Sequence, residues 1–149
     1  MKLKNVEFLL ADDDNDDCIF FKEALEDLAV PVNIEIVNDG EELMQLLENK
    51  QFLPDVLFLD LNMPKKNGFD CLREIKSSHR LENLPVIIFS TSFNDDVVNK
   101  MFERGATHYI QKPNEFDKLR SVIHEVFKML ENAPIQRPDI DKFVIRIAE

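Results

Sequence analysis

An α/β fold, a parallel sheet of five strands with helices on both faces, is predicted by three observations. Short apolar runs alternate along the chain with segments whose apolar residues recur at helical spacing. The runs are brief and rich in aliphatic residues, as in strands buried on both faces. Four of them end in residues with chemical reach: Asp12-Asp13, Asp60, Ser90-Thr91 and Lys112-Pro113. Open α/β sheets place their ligand crevice at the carboxyl ends of the strands, so these four ends are candidates for a single site.

Each element has its own signal. The first strand covers residues 6–11. A helix over 16–28 follows, with Ile19, Phe20, Ala24, Leu25 and Leu28 as its apolar stripe. Pro31 breaks the chain before a second strand built on Ile34 and Ile36, with Val32 open as its start. Asn38 or Asp39 caps a second helix reaching residue 48, whose stripe is Leu43, Met44, Leu46 and Leu47. The third strand covers 56–60, after Pro54. Gly68 lies in the loop before a third helix over 69–77. The fourth strand begins at Pro85 and runs to Phe89. A fourth helix over 94–104 stops at Gly105, a residue suited to a carboxyl cap. The fifth strand covers 108–111, and the fifth helix, the longest, 116–130.

Composition narrows the function classes. The chain of 149 residues suits one domain. Its 29 acidic against 18 basic residues give a net charge of −11, which argues against nucleic acid and against anionic membranes as partners. No apolar stretch approaches the roughly 20 residues of a membrane-spanning helix. The first residues lack the apolar core of a signal peptide, so a cytoplasmic protein is expected. Cys18 and Cys71 are far apart and form no metal pattern; they read as reduced thiols packed on helices. His79, His108 and His124 are dispersed and read as surface or packing residues.

Taken in order, the residues at the strand ends resemble a known family. The Asp12-Asp13 pair, Asp60-Leu61-Asn62-Met63-Pro64, Gly68, Ser90, Tyr109 and Lys112-Pro113 each fall at the end of an expected strand or close to it. So arranged, the chain resembles the receiver domain of bacterial two-component response regulators from residue 4 to about 130. The resemblance implies a doubly wound, flavodoxin-like sheet of order 2-1-3-4-5, the order the chemotaxis regulator illustrates. It also implies a receiver over 1–131, a tail over 132–149 and no separate output domain.

It further implies the chemistry. Asp60 is the expected phospho-acceptor, on which a sensor histidine kinase or a phosphotransfer protein places a phosphoryl group. Asp13 is expected to ligate Mg²⁺ directly, with Asp60 and the main-chain carbonyl of Asn62, while Asp12 acts through water. Adjacent carboxylates repel without a cation, and Mg²⁺ takes oxygen ligands while keeping waters. Ser90, rather than its neighbour Thr91, and Lys112 are expected to bind phosphate oxygens. Tyr109 is expected to be the aromatic switch on a helix 4–strand 5–helix 5 face, and the Lys112–Pro113 bond is expected to be cis. Asp14, Asp16 and Asp17 read as acids at a helix start, favoured there by the dipole.

A signalling protein, not an enzyme, is therefore expected, with an unknown downstream target. Two other readings fit worse. A haloacid-dehalogenase-type phosphatase needs a second aspartate two residues past its nucleophile, where this chain has Asn62. A degenerate receiver would lack one of Asp60, the paired acids or Lys112, and all are present. The apolar part of the tail, residues 143–147, leaves three readings open. It folds back on its own domain, it helps form a homodimer, or it orders only when a target binds.

Overall fold

The computed structural model describes residues 5–146. A parallel sheet holds β1 (Val6–Ala11), β2 (Val32–Val37), β3 (Val56–Leu59), β4 (Val86–Ser90) and β5 (His108–Gln111) in the order β2-β1-β3-β4-β5. Between and after them run α1 (Asn15–Leu28), α2 (Gly40–Asn49), α3 (Gly68–Lys76), α4 (Asp95–Glu103) and α5 (Phe116–Asn132). No helix among the described residues is long and apolar enough to cross a membrane.

The side-chain alternation of the strands builds two cores. Leu9, Ala11, Leu57, Leu59, Val86, Ile88 and Tyr109 face α2, α3 and α4. Phe8, Leu10, Phe58, Ile87, Phe89 and Ile110 face α1 and α5. Successive strand residues point to opposite faces, so the continuous apolar runs are what a two-sided sheet requires. In the second core Phe21 of α1 meets Phe58 and Phe89 edge to face, at centroid distances of 5.0 and 5.6 Å.

Helix ends follow their capping chemistry. Asp39, not Asn38, caps α2 by accepting from the Glu42 N–H at 2.8 Å. Asn94 caps α4 and Asn67 caps α3 in the same way, at 3.0 and 2.9 Å. Gly105 ends α4 at φ +94°, with its N–H on the Phe102 carbonyl and that of Ala106 on Met101, the two bonds of a Schellman turn.

The tail returns to the sheet. After α5 and a short 3-10 helix (Ile140–Lys142), Val144 forms a parallel bridge with Tyr109. The Tyr109 N–H donates to the Phe143 carbonyl at 3.1 Å, and the Ile145 N–H donates to the Tyr109 carbonyl at 2.9 Å. Phe143 is fully buried against Phe102 of α4 and Tyr109 of β5. Of the three readings of the tail, folding back on its own domain is therefore the one realised within this single chain over residues 143–146. Ile147 lies outside the described residues.

One expectation is corrected. No peptide bond among the described residues is cis, so Lys112–Pro113 is trans. The ordinary preference of X–Pro bonds is for trans, and the Lys112 N–H is satisfied here by the Ser90 carbonyl at 2.9 Å.

Candidate functional site

Strand register gathers the site. Ala11 lies opposite Leu59 and Ser90 lies opposite Gln111. The residues that follow therefore emerge together: Asp12-Asp13 after β1, Asp60 after β3 and Lys112 after β5. The backbone continues the ladder one step beyond the strands. The Asp60 N–H donates to the Ala11 carbonyl and that of Asp12 to the Val37 carbonyl, both at 3.0 Å.

The carboxylates form one cluster. One ligand oxygen from each of Asp12, Asp13 and Asp60 lies within 4.8 Å of the others. Asp12 and Asp60 are buried, whereas Asp13 is exposed. Burial pushes the Asp12 carboxyl up to about 6, although hydrogen bonds from Lys112 and from the Asp14 N–H oppose the rise. The cluster thus concentrates negative charge on two buried carboxylates and one exposed one, and its all-oxygen donor set fits a hard divalent cation. Asn62 follows closely, its N–H on Asp60 Oδ1 at 3.4 Å.

Among the described residues, one cation faces this charge. Lys112 Nζ lies 2.8 Å from Asp12 Oδ2, 2.8 Å from Asp17 Oδ2 and 3.3 Å from Asp60 Oδ2. Burial acts to lower the ammonium's pKa, but the hydrogen bonds to Asp12 and Asp17 outweigh it, so the net shift is upward. Its Nζ also lies 5.8 Å from the centroid of the Phe89 ring.

Ser90 is buried at the end of β4, and its Oγ accepts from the Ser92 N–H at 3.1 Å; Thr91 is exposed. Tyr109 is fully buried, and its hydroxyl donates to the Ser92 carbonyl. Burial pushes its phenol up to about 12, so it stays a donor. Gly68 packs its backbone against the Asp60 carbonyl, where any Cβ would collide. Asp60, Asp12, Asp13, Asn62, Ser90 and Lys112 thus share one rim, and Tyr109 joins it through Ser92.

Two contacts were not legible in the sequence. Asp14 is the cap of α1, accepting from the N–H groups of Asp16 and Asp17 at 2.9 and 3.2 Å. Asp17, expected to be another helix-start acid, instead reaches Lys112. The second contact is Phe143, packed on Tyr109. The only sequence signal for Asp17 is its place on the helix turn that follows the acidic strand end.

The response regulator receiver domain, as a family model, matches residues 8–124. The chain belongs to this family. It is the receiver of a response regulator in two-component signalling. It is 31% identical over 122 residues to the probable methanogenesis regulatory protein FilR2 of Methanothrix harundinacea, covering 79% of each chain. It is 30% identical over 128 residues to the response regulator Rcp1 of Synechocystis, covering 83% of this chain and 82% of that one. The receiver also superposes on the crystal structure of the phosphorylated cyanobacterial phytochrome response regulator RcpA. The TM-score is 0.79 at 30% identity, over 87% of this chain and 96% of that one. Superposition on the Mn²⁺-bound form of response regulator Rcp1 gives a TM-score of 0.77 at 28% identity, over 88% and 99%.

Proposed function

We propose that this receiver accepts a phosphoryl group on Asp60 from the phosphohistidine of a sensor histidine kinase or a phosphotransfer protein. One observation carries the reading. Asp60 has the Lys112 ammonium 3.3 Å away and two further carboxylates within 4.8 Å. In the step, an Asp60 oxygen bonds to phosphorus while the phosphorus–nitrogen bond of the donor breaks. The electron pair leaves with the imidazole nitrogen, and an acyl phosphate remains on Asp60. A carboxylate is a weak nucleophile toward a phosphoryl group until nearby negative charge is neutralised.

Asp13, Asp60, the Asn62 carbonyl and, through water, Asp12 would hold Mg²⁺, which when bound neutralises charge on the phosphoryl oxygens. The chain's own side chains do the rest. Lys112 donates to one phosphoryl oxygen as a point charge. Ser90 offers its hydroxyl to another. The Ser90–Ser92–Tyr109 series links that oxygen to β5, so phosphate contacts made in one arrangement only would bias the α4–β5–α5 face. The receiver, residues 1–131 with tail 132–149, then acts as a cytoplasmic relay to a downstream protein rather than as an enzyme on an external substrate.

Labelling by a small acyl phosphate tests this. Intact-mass measurement should show one added phosphoryl group in the presence of Mg²⁺ and none in Asp60→Asn. Undiminished labelling of that variant would overturn the assignment.

A further inference from the structure

We infer that Asp17 is a positioning residue for Lys112, holding the ammonium so that its remaining N–H faces the phosphoryl group received by Asp60. The inference rests on the phospho-acceptor reading of Asp60. An ammonium has three N–H donors. Here they meet three carboxylates, Asp12 and Asp17 at 2.8 Å and Asp60 at 3.3 Å. The longest contact is the one a phosphoryl oxygen would replace, and replacing it leaves the other two intact.

Those two anchors differ. Asp12 belongs to the close carboxylate cluster that fits a cation, so its charge is shared with whatever the cluster holds. Asp17 is not part of that cluster. Its charge is therefore available to anchor Lys112 whatever the cluster holds. Its position is fixed by α1, where its own N–H is held by Asp14 Oδ1 at 3.2 Å. Asp14 does the capping and Asp16 also supplies charge to the first turn, so the helix start does not need the Asp17 carboxylate.

Lysine is a case where an extra anchor matters. Its four-carbon stem has many rotamers, and nothing in its chemistry fixes a direction. The Asp17 side chain is 38% exposed against 9% for Lys112, so solvent screens the pair and its effect on folding is small. The effect falls on where the ammonium points.

The test measures the rate at which acetyl phosphate labels Asp60 in the full chain at saturating Mg²⁺. Asp17→Ala should label about two- to fivefold more slowly than the unmodified chain, the span expected for losing a half-exposed ion pair. Asp17→Asn, which keeps an acceptor oxygen without the charge, should fall between them. The deficit should shrink as ionic strength rises. In a Lys112→Ala background, Asp17→Ala should cause no further loss, because the two act as one unit. Equal rates in the unmodified chain and Asp17→Ala overturn the inference. So does faster labelling of Asp17→Ala, which would make Asp17 a repelling charge. A full additional deficit without Lys112 also overturns it, tracing the effect to the fold. If the unmodified chain takes no label, the reading of Asp60 itself has failed, and that outcome is independent of Asp17.

Discussion

Gly68 shows how little room surrounds the strand end that carries Asp60. Its N–H donates to the Leu61 carbonyl at 3.0 Å, drawing the start of α3 onto the loop. A methyl group there would occupy the place of the Asp60 carbonyl, which is backbone and cannot rotate away. Gly68→Ala should therefore destabilise the protein by roughly 1–3 kcal/mol, the usual cost of overpacking. Urea unfolding measures this, and an unchanged midpoint would show that the loop yields. The same residue-scale logic explains which parts of the site could be read from sequence. Asp12, Asp13, Asp60, Ser90 and Lys112 were legible because each directly ends, or closely follows, an apolar run. Asp17 was not, because its contact with Lys112 spans 95 residues and leaves no local pattern. The trans Lys112–Pro113 bond was misjudged because the expectation came from resemblance alone.

At the scale of elements, β1 and β5 have the bounds that their apolar runs suggest, and the helices differ from expectation by one or two residues at their ends. Such shifts reflect capping, which decides between neighbours like Asn38 and Asp39 by geometry rather than by residue type. One helix end departs from ordinary chemistry. Ala29 closes α1 at φ +53°, a left-handed conformation that costs a residue with a Cβ about 1 kcal/mol or more. Ala29→Gly should raise stability by up to about that amount, less the entropy that glycine loses, as read by thermal unfolding.

The tail was the least legible element. Its strand-like composition was visible, but its partner was not, because pairing with β5 is non-local and short. His108 ties it down, with Nδ1 3.0 Å from the Phe143 carbonyl. Burial holds the imidazole below its ordinary value, opposed by hydrogen bonds to Phe143 and Lys142. A neutral histidine in the folded state contributes stability that is present above its unfolded value of about 6.5 and lost as pH falls through the lower folded value. Glu125 and Lys142 line the same groove between α5 and the tail. Lowering the pH from about 7 to 5 should therefore reduce the exchange protection of the Ile145 amide more than that of Leu9 in β1. Equal changes at the two amides would detach His108 from tail anchoring.

For the molecule as a whole, the proposed reading makes the carboxylate cluster a link between cation binding and folding. A cation bound only by the folded state stabilises it by about 2.7 kcal/mol at one hundred times its dissociation constant. On the proposed reading, added Mg²⁺ should raise the urea midpoint, and Asp13→Ala should lose most of that gain while remaining folded. A midpoint indifferent to Mg²⁺ in the unmodified chain would mean that the cluster holds no such ion. The net charge of −11 adds a general term of self-repulsion that any bound cation relieves.

The bridge between Val144 and Tyr109 has one more consequence, which concerns how copies of the protein avoid one another. An open sheet has two edges, and an uncovered edge strand is a template for pairing with another chain. β2, at one edge, carries Asn33 and Glu35 among its apolar residues, and Glu35 is paired with Lys50. β5, at the other, is short, with His108, Tyr109 and Ile110 buried and Gln111 exposed. Its protection comes from the returning tail, which occupies the N–H and C=O groups of Tyr109 that would otherwise face outward. Residues 143–146 thus act as a guard: they satisfy the backbone of Tyr109 at this edge from within, and a chain shortened before them would carry those groups bare into a crowded solution.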